Sequence, residues 1–168
     1  MSEQMMHPGA TGFDLGDRLA VINLCNAYAR YYDANDLDQW FQMFTDDIKC
    51  TVCLSASDPN IVEGEAFRDL FRSLRAQTAD GGVAPLHCNT NLTVTHQTTT
   101  QASAECYVIY VPLEIAALNS PETTRLETRI TGTARYRFDM LKGQDGQWRI
   151  NNYLITYDQQ VVEHSLEA

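Results

Sequence analysis

Basic side chains are scarce in this sequence, and none of them form a cluster. The chain carries 12 Lys and Arg against 22 Asp and Glu, a formal net charge of -10 at pH 7. Because clustered Lys and Arg side chains neutralise a phosphate backbone, this composition argues against binding to nucleic acid. Long apolar runs are missing too: no stretch approaches the ~20 residues that span a bilayer, and the N-terminus lacks a signal-peptide pattern. We therefore expect a soluble, cytoplasmic protein without a nucleic-acid or membrane partner.

Motifs for common cofactors are also missing. The sequence contains no GxGxxG, P-loop, HExxH or GxSxG, which argues against nucleotide, zinc-protease and serine-hydrolase sites. The five cysteines are odd in number and scattered through apolar segments, as is typical of buried thiols in a reducing compartment. Cys50 and Cys53 form a CxxC pair, but positions three apart in a strand point to opposite faces. We expect no metal and no cofactor.

Helical periodicity dominates the first half of the chain. After a loose arm at residues 1–13, apolar spacing predicts a long helix capped by Asp14 or Asp17 and a short helix capped by Asn35 or Asp36. A third, amphipathic helix follows. The predicted helices cover residues 17–34, 34–44 and 63–78, with a strand at 46–55 and a loop at 56–62.

The second half of the chain has the pattern of a β-sheet. Alternating segments with β-branched and aromatic residues predict strands, and an Asp-Gly pair marks a final hairpin. The predicted strands cover residues 84–96, 102–115, 122–141 and 148–158. Helices followed by a meander predict an α+β domain over residues 14–158, with helices on one face of a curved antiparallel sheet and a tail at 159–168.

One carboxylate lies in an unfavourable position. Asp33 is near the C-terminal end of the first helix, where it opposes the helix dipole at a cost of up to about 1 kcal/mol when exposed. Tyr28 and Tyr32 share one helix face beside it. A solvent-exposed acid and two core tyrosines would explain these residues without a function, whereas a donor that reaches Asp33 would explain the position of the acid better.

The proposed donor is His87. Strand alternation places His87, Asn89 and Asn91 on one face. Three hydrogen-bonding side chains in a row are costly in an apolar core, so this face lines either water or a polar cavity. By the same alternation His96 lies on the opposite face of the strand from His87, which argues against a metal shared by the two histidines.

Several of these segments together resemble a known family. They are a YxxxxD helix, a D-x-x-x-W/L-x-x-x-F-x-D-D run, an EG-x-x-x-F/I helix, a strand starting H-x-x-x-N and a hairpin ending DG-x-W-x-I. This order is similar to the SnoaL-like branch of the NTF2-like superfamily over roughly residues 15–158. The resemblance implies a cone-shaped fold in which three to four helices of the N-terminal half pack on the concave face of the sheet.

The resemblance also implies a chemistry, since the branch includes scytalone dehydratase, bile acid dehydratase and polyketide cyclases. The positions that match the family's pocket are Tyr28, Tyr32, Asp33 and His87. In this hypothesis Asp33 orients His87, which removes a proton next to a carbonyl, and a tyrosine stabilises the enolate oxygen. Such a site catalyses a dehydration, an isomerisation or a cyclisation without a cofactor.

Candidate substrate-binding residues accompany this set. They are Asn89, Asn91, Trp40, Tyr107, Arg135 and Arg137. The two arginines replace a Ser and an Asn of scytalone dehydratase, and the tyrosine of its first strand has no counterpart, so scytalone itself is not the expected substrate. The apolar complement predicts a bulky, mostly hydrophobic, oxygenated molecule of polyketide, steroid or terpenoid type, although the same side chains are core by default. It consists of Trp40, Phe44, Phe67, Phe71, Tyr107 and Leu113.

Three alternatives remain open from sequence. A β subunit of an aromatic-ring hydroxylating dioxygenase has the same cone fold but no catalytic role. Limonene epoxide hydrolase uses an Asp-Arg-Asp set, for which Arg137 and Asp139 are nearby in sequence. A small-molecule binding module is the third. The polar strand surface around Arg125, Glu127 and Arg129 predicts a homodimer or homotrimer.

Overall fold

The part of the chain that the structure describes forms three helices and six strands. This computed structural model covers residues 12–53, 59–80, 82–114 and 132–160. The helices are α1 (Leu15–Asp33), α2 (Leu37–Phe41) and α3 (Gly64–Asp80). The strands are β1 (Phe44–Cys53), β2 (Pro59–Glu63), β3 (Val83–Gln97), β4 (Gln101–Glu114), β5 (Gly132–Lys142) and β6 (Trp148–Gln160).

All six strands belong to one curved sheet in the order β2-β1-β6-β5-β4-β3. The predicted α+β class is confirmed, but the sheet is not purely antiparallel. β1 and β6 run parallel, with Cys50 opposite Tyr153. The reason is that α3 and the long meander intervene between β1 and β6, so the last strand returns beside the first in the same direction.

Other boundaries differ from the prediction at the edges. The segment 56–62, predicted as a loop, contains β2, which starts at Pro59, pairs with β1 and is an edge strand of the sheet that the described residues form. Proline fits there because an edge strand does not require its missing N–H. The caps of α1 and α2 are Asp14 and Asp36. β6 continues to Gln160, two residues beyond the predicted end of the domain.

One face of the sheet carries the core. In β4 the side chains of Ala104, Cys106 and Val108 are buried, and their partners in the register include Tyr136 and Phe138 of β5. We call this side, against which α1 and α3 pack, the inner face, and the opposite side the outer face. Alternation along each strand therefore decides which side chains meet the helices.

Aromatic rings fill the space between the helices and the inner face. Trp40 is fully buried and lies 5.5 Å from Phe67 in a stacked arrangement, while Phe138 and Tyr153 stack at 5.1 Å. Burial of each such side chain stabilises the fold by roughly 1.5–3 kcal/mol. Across the described ranges, no helix is both long enough and apolar enough to cross a membrane.

A single carboxylate ties the start of α1 to the last hairpin. Asp17 accepts hydrogen bonds from Lys142 Nζ at 2.6 Å and from Trp148 Nε1 at 3.0 Å. These two donors hold the pKa of Asp17 below its ordinary value of 3.8, the Lys142 bond most strongly. This contact joins the first turn of α1 to the hairpin of β5 and β6.

Replacement of Asp17 by Asn is expected to lower Tm by a few degrees at neutral pH, because the charge-assisted bonds weaken. A lowered folded-state pKa means that the stabilisation is complete above the ordinary pKa of 3.8 and is lost as pH falls through the folded-state value. The difference in Tm between the wild type and Asp17→Asn should therefore shrink in acid. Thermal melts of Lys142→Gln and of the double variant provide a mutant cycle, and strictly additive effects would contradict the contact.

Candidate active site

Asp33 and His87 meet, as the sequence predicted. Asp33 is the last residue of α1, and His87 lies near the start of β3. The backbone N–H of His87 donates to Asp33 Oδ2 at 2.7 Å, and its Nδ1 lies 2.5 Å from Asp33 Oδ1. The two side chains are largely shielded from solvent, with exposures of 12% and 15%. One carboxylate thus holds both the backbone and the ring of the histidine.

This double contact determines the tautomer and the orientation of the His87 imidazole. A carboxylate beside Nδ1 favours the tautomer with the proton on that nitrogen, which leaves Nε2 with a free lone pair. Since the carboxylate also fixes the backbone at the same residue, the ring has little freedom to turn away. The arrangement can hold a general base in the orientation that proton abstraction requires.

Two phenols flank the imidazole. The ring of Tyr32 lies 5.6 Å from that of His87 in an edge-on arrangement, and Tyr110 lies 5.1 Å from it. Burial raises the pKa of Tyr32 above its ordinary value of 10.0. Burial and then the negative charge of Asp33 raise the pKa of Tyr110. Both phenols therefore remain protonated donors at neutral pH.

Tyr110 was missed by the sequence analysis. It lies directly opposite His87 in the pairing of β3 with β4. A signal was present in the sequence, because the polar turn after Gln97 sets an approximate register for this hairpin. Two irregularities in β3, between Thr90 and Thr93 and between Val94 and His96, shift that register by two residues, so counting back from the turn places Pro112 rather than Tyr110 opposite His87.

Tyr28 lies deeper than Tyr32. It is 2% exposed, and its ring contacts five other aromatic side chains. These are Trp40, Phe44, Tyr136, Phe138 and Tyr153. Burial raises its pKa well above 10.0. Trp40, predicted as a substrate contact, is fully buried behind Tyr32, with ring centroids 5.0 Å apart.

Asn89 stays on the inner face, but Asn91 does not. The Asn89 amide donates to the Cys25 carbonyl of α1 at 3.1 Å, and its Oδ1 is buried without a hydrogen-bond partner among the described residues. Asn91 has a φ of 54° and sits in a bulge between Thr90 and Thr93. Because a bulge adds one residue to a strand, the alternation breaks there and Asn91 faces solvent on the outer side.

Arg135, Arg137 and Tyr107, predicted to bind substrate, lie on the outer face, so the structure does not bring them together with His87. Tyr107 pairs with Arg135 in the register, and this pair alternates with the buried pair of Cys106 and Tyr136. They line a separate surface groove of about 410 Å³. The two arginines were predicted in the pocket from the resemblance to scytalone dehydratase, and the alternation of side chains along a strand does not say which face the helices cover.

These outer-face arginines have acidic partners. Arg135 lies 2.9 Å from Asp158, and Arg137 lies 3.1 Å from Asp139. Asp139 also accepts hydrogen bonds from Ser103 and Asn152. The pair considered for an epoxide-hydrolase set therefore belongs to a surface network away from His87.

A buried arginine was missed altogether. Arg75 of α3 is 5% exposed, and its guanidinium carbon lies 5.6 Å from the ring centre of Tyr32. A signal was present, because Phe67, Phe71 and Arg75 are spaced four apart and share one helix face. Phe67 and Phe71 were predicted to be buried, but no role was predicted for Arg75.

Of the five cysteines, predicted as buried thiols, Cys25, Cys50 and Cys106 are buried, whereas Cys53 and Cys88 are half-buried. All five are free thiols. Burial raises the pKa of Cys50 and of Cys106 to about 12, so neither is a thiolate nucleophile at neutral pH. Among described residues, no group of three His, Cys, Asp or Glu side chains is placed to hold a metal ion.

Several sequence predictions fall outside the described residues, among them the arm up to residue 11, residues 122–131 of the predicted strand 122–141, and the tail from residue 161. The polar surface around Arg125, Glu127 and Arg129 lies in the segment 115–131, and the side chain of Leu113 is not described. The other predicted apolar side chains of the pocket are Phe44, Phe67 and Phe71, and all three are buried in the core.

Comparison with known proteins identifies the family. The family model of the SnoaL-like domain matches residues 14–153 of this chain. No curated protein matches the chain in sequence. Among solved structures, a candidate aromatic ring hydroxylase from Novosphingobium aromaticivorans is 25% identical, with a TM-score of 0.64, and the match covers 88% of this chain and 92% of that one.

Two further structures from the same organism share the fold. An NTF2-like protein with a cystatin-like fold is 20% identical, with a TM-score of 0.63 over 85% of this chain and 82% of that one. A candidate scytalone dehydratase is 17% identical, with a TM-score of 0.61 over 85% of each chain. The chain belongs to the SnoaL-like domain family, and its cone-shaped fold is that of the NTF2-like proteins.

Proposed function

We propose that this protein is a cofactor-independent lyase or isomerase that acts on a carbon acid next to a carbonyl group. The observation that carries the proposal is the double contact of Asp33 with the backbone and the imidazole of His87. A buried carboxylate that orients a histidine is the arrangement that general-base catalysis requires. Family membership supports the proposal, although this scaffold hosts several chemistries.

In the proposed reaction His87 Nε2 removes a proton from the carbon beside the carbonyl. The electrons of the C–H bond move into the enolate, whose oxygen accepts a hydrogen bond from the Tyr32 phenol. The imidazolium then donates its proton to a β-hydroxyl group as the C–O bond breaks, so that water leaves and a conjugated alkene remains. The charge of Asp33 stabilises the imidazolium throughout.

The same first step serves three outcomes. Return of the proton to a different carbon gives an isomerisation, and attack of the enolate on a second carbonyl gives a cyclisation. Dehydration is our first choice, because Nδ1 is held by Asp33 and Nε2 can act first as base and then as acid. The aromatic surroundings of Tyr32 favour a bulky, mostly hydrophobic substrate with a few oxygens.

A second candidate function is supported by one comparison. The 25% identity to a candidate aromatic ring hydroxylase favours a subunit of a ring-hydroxylating system, in which this chain has no turnover of its own. Size measurement of the purified protein by light scattering addresses this candidate. We expect a homodimer or homotrimer, whereas a stable complex formed only with a coexpressed larger subunit would favour the second function.

Removal of the dyad should abolish turnover. We expect His87→Gln and Asp33→Asn each to lower kcat/KM by roughly 10²–10⁴-fold, because the base is removed in one variant and loses its orienting charge in the other. The measurement is a panel of bulky β-hydroxy ketones, followed by ultraviolet absorbance of the enone and by α-proton exchange in D₂O.

The matched control for the dyad is His96→Gln, which changes a histidine of the same strand outside the site. Its activity and the circular dichroism spectra of all three variants should remain those of the wild type. Wild-type turnover in His87→Gln or Asp33→Asn would exclude the dyad from the reaction.

Loss of the Tyr32 hydroxyl should slow the reaction without changing its pH dependence. We expect Tyr32→Phe to lower kcat/KM by about 10–100-fold, since one hydrogen bond to the developing enolate is lost. Because burial raises the pKa of Tyr32 above 10.0, the phenol does not titrate between pH 6 and about pH 9. Tyr31→Phe, on the adjacent position of α1, is the control, and equal effects of the two substitutions would contradict the assignment.

A further inference from the structure

Arg75 is a buried, charged side chain whose hydrogen-bond donors are only partly satisfied. Its Nη1 donates to Thr78 Oγ1 at 3.2 Å, whereas its Nε is buried and has no hydrogen-bond partner in the parts of the chain that are described. Within those same ranges no carboxylate lies within 4.0 Å of the guanidinium. The other arginines of α3 differ, because Arg68 and Arg72 pair with acids at the surface.

The guanidinium and the proposed base share one aromatic neighbour. The ring of Tyr32 lies 5.6 Å from the guanidinium carbon of Arg75 and 5.6 Å from the ring centre of His87. A ligand that lies beside Tyr32 can therefore contact the imidazole at one end and the guanidinium at the other. Because both distances are measured to the Tyr32 ring, a flat ring on such a ligand would lie against an aromatic surface.

The guanidinium of Arg75 has N–H donors without partners, and their geometry indicates which chemical group can bind them. A guanidinium stays charged at all accessible pH values and presents a planar fork of N–H donors that fits two oxygens side by side. A cation–π contact and one hydroxyl satisfy only part of this donor set. A buried charge left in this state is costly, so an anionic, two-oxygen partner is the natural complement.

A carboxylate fits this position better than a phosphate. The negative end of α3 lies five residues beyond Arg75, at Asp80, and it weakly disfavours any anion, a doubly charged phosphate more than a carboxylate. The overall charge of -10 acts in the same direction. One guanidinium neutralises one negative charge, as a carboxylate carries.

We propose that Arg75 binds a carboxylate of the substrate and that the substrate is a ring-containing keto acid or hydroxy acid. This inference rests on the proposed function, since it places the acidic carbon at His87 and the carboxylate across the Tyr32 ring. Arg75 determines specificity by this contact and takes no proton in the reaction.

Binding of matched acid and amide probes tests the carboxylate site without turnover. Isothermal titration calorimetry of the wild type should show that 2-naphthoate binds at least about 10-fold more tightly than 2-naphthamide, because a charge-assisted bidentate contact is present only in the acid. Arg75→Gln should remove this preference. Arg72→Gln, which removes a surface charge one turn earlier on α3, should keep it.

Several results would overturn the carboxylate site. They are equal affinities of acid and amide in the wild type, an unchanged preference in Arg75→Gln, and displacement of naphthoate by equimolar inorganic phosphate. The wild-type comparison needs no variant, so it decides the question even if Arg75→Gln does not fold. Arg75→Lys, which keeps the charge but not the planar fork, should retain part of the preference.

The same titrations separate this inference from the proposed function. In His87→Gln the preference for naphthoate should persist, because the guanidinium is untouched. A preference that depends on Arg75, together with no turnover and no α-proton exchange of ring-containing β-hydroxy keto acids, would leave the anion site standing and remove the reaction. Turnover of neutral ketones without any preference for the acid probe would support the proposed reaction and exclude the carboxylate site at Arg75.

Discussion

The contact between Asp33 and His87 joins the end of α1 to β3 across 54 positions of sequence. A carboxylate at the negative end of a helix dipole needs a donor, and the backbone N–H of His87 supplies one where a strand begins. The same carboxylate then orients the imidazole. Structural and proposed catalytic requirements thus converge on one pair of side chains that rigid elements hold in place.

The two faces of the sheet have different roles because strand side chains alternate. The inner face gathers His87, Tyr110 and the aromatic core beneath the helices, whereas the outer face carries ion pairs such as Arg135 with Asp158. A single bulge at Asn91 moves one polar side chain from the first group to the second. Small changes of register in such a sheet therefore reassign residues between a pocket and a surface.

Polar atoms placed among aromatic rings define what the site can bind. Tyr32, with a pKa raised by burial, remains a donor, and Arg75 remains a cation in a protein with an excess of acids. The first effect comes from exclusion of water, which also strengthens hydrogen bonds and charge interactions and makes unpaired groups costly. The second comes from the intrinsic basicity of a guanidinium. The fold of the SnoaL-like family supplies the enclosure, and the identity of these few side chains supplies the chemistry.

Sequence alone determined the class of the fold, the three helices and the candidate dyad, because periodicity is local and the position of Asp33 was unfavourable without a partner. The parallel pairing of β1 with β6, the outer position of Arg137 and the inner position of Arg75 were decided only by tertiary structure. Each depends on which segment covers which face, a consequence of long-range packing and register that no local pattern contains.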